Sequence, residues 1–113
     1  MTPMDRLQTA LLQLGVPVFQ NAAQFYNGQL PNDYIVIVSV DVRPNTYAGD
    51  TDTDFTEQLR ASWYSRSGNA DHGAAMRKAG RSADFTVISG NTGYDPSTKH
   101  HIVYQEFWTE SEE

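Results

Sequence analysis

Cysteine is absent from the sequence, so disulfide bonds and thiolate chemistry are excluded. Long apolar runs are absent as well, since no stretch approaches the ~20 residues that a membrane-spanning helix needs. The first residues, MTPMDRLQ, lack the basic start and the apolar segment of a signal peptide. From these absences we expect synthesis in the cytosol and no association with a membrane.

Hydrophobic residues are also modest in number for a globular protein, at 39% with a mean hydropathy of −0.54. The chain is nevertheless long enough to bury roughly two thirds of the surface that it exposes when unfolded. We therefore predict a single domain over residues 1–113, in which residues 110–113 (ESEE) form a frayed acidic tail.

Basic side chains are few and unevenly distributed. The net charge is −6, and residues 1–57 contain two basic and seven acidic side chains, whereas residues 58–113 contain six and seven. Copies of such a chain can meet head to tail through patches of opposite charge, a contact that closes into rings. The same balance disfavours DNA binding, which depends on dense Lys and Arg against phosphate.

The N-terminal segment carries the signals of an amphipathic helix. Thr2 can cap the helix, Pro3 suits its first position, and Asp5 can complete a capping box. Gly15 suits the left-handed residue at its end, and Pro17 prevents continuation. The apolar residues between these signals recur at helical spacing and predict one buried stripe: Met4, Leu7, Leu11 and Leu14.

Two strands with a long connection occupy the middle of the chain. Residues 33–42 (DYIVIVSVDV) are apolar on both faces at first, and then place Ser39 and Asp41 towards water. Residues 55–64 (FTEQLRASWY) alternate, with an apolar face interrupted by Glu57. The connection RPNTYAGDTDTD is far longer than the about two to five residues that a hairpin needs. We predict a central hairpin whose acidic tip is either ordered by an outside contact or mobile and functional.

The other segments complete an α+β fold, a mostly antiparallel β-sheet with two helices packed on one face. The second helix is predicted to be capped by Asn69 or Ser67, and its small residues suit close approach to a sheet. In chain order, the predicted segments are an edge strand at Val16–Gln20, a helix at Ala70–Gly80, a short strand at Phe85–Ile88, an exposed turn-rich loop at Ser89–Lys99 and a final strand at His100–Thr109.

The three alternating aspartates of the hairpin tip, Asp50, Asp52 and Asp54, invite comparison with a calcium loop. An EF-hand loop that began at Asp50 would need glycine at its sixth position and glutamate at its twelfth, where this chain has Phe55 and Ala61. The template therefore fails. A solvated acidic tip accounts for the pattern better than an irregular cation site.

No motif for catalysis or cofactor binding is present. His100 and His101 are adjacent on a predicted strand, so they point to opposite faces and cannot share a metal ion. His72 could be paired with Asp71 or Glu106, or with Ser65 or Ser67, but no motif places a nucleophile on a strained turn. The GNTG segment at residues 90–93 is not a phosphate loop. We predict no enzyme activity, no metal and no cofactor.

Several short phrases, in their order along the chain, resemble the tail terminator or tail-completion proteins of long-tailed bacteriophages. After the amphipathic helix come VPVFQNA, the proline-led strand LPNDYIVI and the long loop. The phrase SWYSRSGNADHGAAMRKA then leads a strand through an aromatic-Ser-Arg turn into a helix, and HHIVYQEFW closes the domain. The resemblance covers nearly the whole chain.

The resemblance implies a small α+β subunit of the virion, assembled in the host cytoplasm into a hexameric ring. This ring would end tube polymerisation at the head-proximal end of the tail, contacting the tube protein and the head–tail connector. DNA would pass through the ring without specific binding. In that role, the acidic loop would face the lumen or the tube, and basic residues would contact the neighbouring subunit. The loop residues are Tyr47, Asp50, Asp52 and Asp54, and the interface residues are Arg60, Arg66, Arg77 and Arg81.

Two other classes of function remain open from the sequence. A monomeric or dimeric bacterial α+β binding module would need a concave apolar pocket, which no sequence feature demonstrates. A head-completion subunit of the connector would occupy a ring one level above the terminator. The mass in solution separates the binding module from the ring-forming classes.

Overall fold

The computed structural model describes residues 2–21, 31–44, 55–68 and 71–111. These residues form two helices and a five-stranded, mostly antiparallel sheet, which confirms the predicted α+β fold. In chain order the elements are α1 (Pro3–Leu12), β1 (Val18–Gln20), β2 (Asp33–Pro44), β3 (Phe55–Ser65), α2 (His72–Ser82), β4 (Thr86–Asp95) and β5 (His100–Ser111).

Helix α1 begins where the sequence predicts, but it ends at Leu12 with Gln13 as its C-cap, before the predicted terminal residue Gly15. The Oγ1 atom of Thr2 accepts a hydrogen bond from the Asp5 backbone N–H at 3.1 Å, and Pro3 occupies the first turn. Gly15 has a φ of +85°, a conformation that glycine adopts without strain. Leu7 and Leu11 are fully buried, so the predicted stripe forms part of the core.

The sheet has the strand order β1-β2-β3-β5-β4. Only β1 runs parallel to its neighbour, whereas the β2–β3, β3–β5 and β4–β5 pairs are antiparallel. Strand β1 is short and lies at one edge, as predicted from Pro17, whose carbonyl oxygen accepts a hydrogen bond from Ile35 N–H at 2.9 Å. Strand β4 lies at the opposite edge.

The central hairpin forms as predicted, but the outer half of β2 differs from its predicted pattern. Val40 and Val42, expected to be covered, are 42% and 50% exposed, while Asp41 is half-buried. The register with β3 shifts between Ser39 and Asp41, so Val40 interrupts the alternation. The core on β2 ends at Ile37, and neither of the described helices covers these two valines.

Helix α2 packs closely on β5 through its glycines. A Cβ atom added to Gly80 would lie 2.3 Å from Cε1 of the buried Phe107 ring, so only glycine permits this approach. The predicted cap is wrong, because Asp71 occupies the N-cap position without a side-chain hydrogen bond. The hydroxyl of Ser67 instead lies 2.8 Å from that of Ser65, and Asn69 lies outside the described residues.

Strand β4 is longer than predicted. The segment after Ile88, expected to be a loop, continues the strand as far as Asp95. Its ladder with β5 is irregular between Val87 and Gly90, where the buried amide of Gln105 donates to the Ser89 carbonyl oxygen at 2.8 Å. Pairing with β5 thus overrides the turn propensity of this segment.

Strand β5 extends through Ser111 and pairs with β3 along its length. The expected frayed tail is therefore wrong for residues 110 and 111, while residues 112 and 113 lie outside the described part of the chain. Cross-strand hydrogen bonding on an inner strand explains this order at the end of β5.

The core lies between the helices and one face of the sheet, which confirms the predicted packing of both helices on one side. Side chains of α1, α2 and the covered sheet face meet there in one apolar cluster. Its buried members are Leu7, Leu11, Val18, Ile35, Ile37, Leu59, Ala61, Trp63, Met76, Ala79, Phe85 and Phe107.

Candidate interaction surfaces

The face of the sheet opposite the helices, here called the open face, is aromatic at one end. Side chains alternate between the two faces along each strand. Ile35, Ala61 and the other core residues of the sheet point to the helices, and the residues between them point to the open face. Tyr34 and Tyr64 stack there with ring centroids 4.6 Å apart. They border a shallow hollow of about 370 Å³.

The buried ring of His100 is the third member of this aromatic group. Its ring is edge-on to Tyr34 at a centroid distance of 5.4 Å, and its Nε2 atom lies 2.9 Å from the Pro31 carbonyl oxygen. Burial raises the pKa of both Tyr34 and Tyr64, so their hydroxyls stay neutral near pH 7. These three rings form a packed aromatic end of the open face.

Arg60 lies further along the open face in an ion pair. Its Nη2 and Nε atoms donate to Glu106 Oε1 at 2.8 and 3.1 Å. Gln58 and Ser89 each donate to Glu106 Oε2 at 3.2 Å. The Arg60 hydrogen bond is the main cause that lowers the pKa of Glu106. Arg60 therefore already has an anionic partner within its own subunit, although its side chain is 43% exposed.

Arg66 joins two loops at the end of the sheet. Its Nε atom donates to the Thr98 carbonyl oxygen and its Nη1 atom to Asn32 Oδ1, each at 3.1 Å. The backbone N–H of Arg66 also donates to the Asn32 carbonyl oxygen at 3.0 Å. This residue positions the connections before β2 and before β5.

Arg77 lies on the other side of the sheet, in a cleft of about 450 Å³ between α2 and β4. Its Nη1 atom is 3.4 Å from Gln105 Oε1, a long hydrogen bond. A glycine on each wall, Gly73 on α2 and Gly90 on β4, keeps the cleft open. A Cβ atom added at Gly90 would lie 2.9 Å from Gln105 Oε1. Arg81 is exposed in the last turn of the same helix.

The four predicted interface arginines therefore do not form one patch. Arg60 lies on the open face, Arg66 at the end of the sheet, and Arg77 and Arg81 on α2 beside β4. The predicted loop residues Tyr47, Asp50, Asp52 and Asp54 lie outside the described residues. The exposed valines of β2 and the uncharged edge of β4 were not predicted from the sequence. The only sequence signal for the β4 edge is the lack of charged residues in TVISGNTGY.

His72, considered above for acid–base chemistry, is packed flat against an indole ring. Its ring centroid is 4.0 Å from that of Trp63, with planes 1° apart. Burial lowers the pKa of His72, although the charges of Asp33 and Asp71 oppose that shift. Within the described part of the chain, its ring makes no hydrogen bond to Ser65 or Ser67, whose hydroxyls bond each other. A nucleophile–base pair is not assembled here.

His100 and His101 point to opposite faces, as predicted. His100 is fully buried against the tyrosines, whereas His101 is exposed and its ring lies 4.8 Å from that of Tyr94. The described residues contain no cluster of three or more potential metal ligands. Neither described helix is long and apolar enough to cross a membrane.

No family model matches the chain, and no curated protein matches it. The function of this protein is therefore inferred from its residues, its fold and the surfaces described above.

Proposed function

We propose that this protein is a structural subunit of a long-tailed bacteriophage. It assembles as a ring, a hexamer in the resembled family, on the head-proximal end of the tail tube. The ring stops tube polymerisation and presents a surface to the head–tail connector. DNA passes through without specific binding, and no bond-making chemistry is required.

The observation that carries this proposal is a set of exposed apolar side chains on two strands of the sheet. Val40 and Val42 on β2, together with Ile88 and Tyr94 on β4, are between 42% and 52% exposed. These side chains lie on two strands that β3 and β5 separate, so they offer two separate candidate contacts for association. The phrases and element order of the sequence point to the same class.

The charge of the proposed ring suits a DNA conduit. A lumen through which DNA slides should repel phosphate, and the acidic residues Asp50, Asp52 and Asp54 are the candidates to line it. Changing all three to Asn should alter tail length, head joining or infectivity. Normal tails, normal joining and normal infectivity together would remove the loop from the proposal.

The decisive test deletes the gene from the phage that encodes the protein and images the particles by electron microscopy. We expect overlong tubes, or heads without tails, and rescue by the wild-type chain supplied in trans. Normal tails in the deletion strain would overturn the proposal. Heads without tails, found together with free tails of normal length, would instead place the subunit in the connector.

Arg81 provides a cleaner test of the basic contact than Arg60 or Arg66, which are bonded within the subunit. Arg81→Gln should raise the dissociation constant for ring formation several-fold, measured by sedimentation or light scattering. Gln13→Glu is a matched control, because Gln13 is exposed and its change lowers the net charge by the same one unit. Equal effects of the two variants would show that only net charge matters.

The second candidate function is a binding module, and the Arg77 cleft favours it. The cleft combines a guanidinium with the buried amide of Gln105 and is large enough for a small anionic ligand. A monomer at every concentration, with and without tail tubes, together with saturable binding of a carboxylate ligand, would favour the module over the ring.

A further inference from the structure

The cleft between α2 and β4 contains a guanidinium without a carboxylate partner. Arg77 is half-buried there, and it is the one charged residue among the described residues that line the cleft. Within the described part of the chain it forms no ion pair, whereas Arg60 on the open face is paired with Glu106. Arginine is the residue that proteins favour for the recognition of carboxylate and phosphate groups. The guanidinium of Arg77 therefore marks a candidate site for an anion.

Two features position this guanidinium in the cleft. Gly73, one turn earlier in α2, leaves room for it, since a Cβ atom added there would lie 3.1 Å from Arg77 Nη1. In addition, Arg77 Nη1 donates to Gln105 Oε1 at 3.4 Å. Gln105 is 1% exposed, and its Nε2 atom donates to the carbonyl oxygens of Ser89 and Glu106 at 2.8 and 3.1 Å, which leaves its Oε1 atom to face Arg77. The irregularity of β4 thus fixes the amide that holds the arginine.

One edge of the guanidinium is left for a ligand. Within the described residues, the bond to Gln105 through Nη1 is the one hydrogen bond that the Arg77 guanidinium makes. The Nε and Nη2 atoms carry two parallel N–H groups, and this pair matches the two oxygens of a carboxylate. Access is open from the β4 wall, where Asn91 and Thr92 are exposed.

The lining of the cleft favours an anion with a single charge. Arg77 supplies one positive charge, and two acceptor oxygens lie beside it. These are Gln105 Oε1 and the Tyr104 carbonyl oxygen, which are 2.9 and 3.3 Å from a Cβ atom added at Gly90. Acceptor oxygens repel a second negative charge, and phosphate sites in proteins combine several backbone or side-chain donors. A carboxylate therefore suits the cleft better than a phosphate, and Val103 offers an apolar contact for an alkyl chain beside it.

We infer that the cleft between α2 and β4 binds a carboxylate group, with Arg77 donating from Nε and Nη2 while Gln105 holds the guanidinium in place. At about 450 Å³, the cleft has room for the carboxylate and for a short alkyl chain, such as that of a glutamate side chain or a small organic acid. Lys78 and Arg81, exposed on the same helix, raise the local positive potential and attract the anion. For a free acid this inference rests on the second candidate function; in the ring, the carboxylate belongs to an adjacent protein chain.

Titration of the full chain with butyrate, followed by NMR of the backbone N–H groups, tests the site directly. The ionic strength is held constant with sodium chloride, so that general screening does not change during the titration. We expect saturable shifts of the Gly73, Gly90 and Thr92 signals, and weaker binding of inorganic phosphate under the same conditions. Tighter binding of phosphate than of butyrate would overturn the carboxylate assignment.

Three variants separate the site from the general charge of α2. Arg77→Met keeps most of the alkyl chain and removes the guanidinium, and it should raise the dissociation constant for butyrate at least about tenfold. Gly73→Ala retains every charge but places a methyl group where the guanidinium lies, so it should also weaken binding. Arg81→Gln is the matched control, because it removes the same charge from the same helix outside the cleft lining. Equal losses in Arg77→Met and Arg81→Gln, with unchanged circular dichroism, would overturn the inference.

Two further probes identify the source of the carboxylate. Tighter binding of a short capped peptide that contains one glutamate than of butyrate would support the site and assign it to an adjacent protein chain. Tighter binding of glutarate than of the peptide would support the site and assign it to a small organic acid. Absence of saturable shifts with butyrate, glutarate and the peptide alike would overturn the inference. That result would leave the proposed ring intact, because the deletion phage tests the ring separately.

Discussion

Gly80 allows the packing of α2 on the sheet to be tested with one methyl group. In an open helix, Gly→Ala stabilises by about 1 kcal/mol, because glycine has the higher conformational entropy. Here the added Cβ would lie 2.3 Å, 2.7 Å and 3.0 Å from three carbons of the Phe107 ring. Carbon atoms pack at about 3.5–4.0 Å, so the ring or the helix must move by roughly 1 Å.

Phe107 has little freedom to give way. It is fully buried, and its ring also packs edge-on against Phe85 at a centroid distance of 6.1 Å. Overpacking of this kind costs about 1–3 kcal/mol, and a displacement this large belongs at the upper end. Subtracting the helix gain of about 1 kcal/mol leaves a predicted net loss of about 2 kcal/mol for Gly80→Ala.

Urea unfolding followed by circular dichroism measures this free energy. Gly73→Ala is the matched control in the same helix, because its nearest neighbours are the flexible end of Arg77 at 3.1 Å and a Val103 methyl group at 3.3 Å. We expect that control to be close to neutral, and we expect Phe107→Leu to recover part of the loss in the Gly80→Ala background. Stabilisation by Gly80→Ala would refute the close contact between Gly80 of α2 and the Phe107 ring.

Three further predictions concern a cap, a titrating ring and an ion pair. Thr2→Ala removes the α1 cap and should cost about 1 kcal/mol in urea unfolding, whereas Thr2→Ser should cost much less; equal losses would contradict a capping role. Burial lowers the pKa of His72 in the folded chain, so the unfolded chain binds a proton on this ring at a higher pH than the folded chain does. The free energy of unfolding should therefore be highest above about pH 6.5 and should decline below it. His72→Phe should flatten this decline between pH 7.5 and pH 5, and an unchanged profile would show that other groups cause it. Arg60→Met should raise the pKa of Glu106, followed by NMR titration, and cost less than about 1 kcal/mol because the pair is partly exposed; a pKa that does not move would contradict the ion pair.

Local signals in the sequence were sufficient for much of the fold. The Thr2 cap, the leucine stripe and Gly15 fix α1 without help from the rest of the chain, because each signal acts within a few residues. The alternation of β3 correctly placed Leu59, Ala61 and Trp63 in the core. These patterns depend on the periods of helix and strand, which sequence shows directly.

Tertiary contacts decided the features that the sequence did not show. The Gly- and Asn-rich half of β4 is a strand because β5 offers it a ladder and Gln105 accommodates its irregularity. The exposure of Val40 follows from a register shift that no hydropathy pattern indicates. Likewise, the separation of the four arginines depends on which face of which strand each residue occupies. Strand order, which sets those faces beside one another, was not accessible from composition or periodicity.

The position of β5 also affects how the chain can fold. Strand β5 follows β4 in sequence, yet it lies between β3 and β4. The β2–β3 hairpin can form early because its pairing connects adjacent strands, but the inner edge of β3 stays open until β5 has been synthesised. Non-local pairing of this kind is slow, and an open strand edge can capture another chain meanwhile. Refolding yield should therefore fall as the concentration of unfolded chains rises.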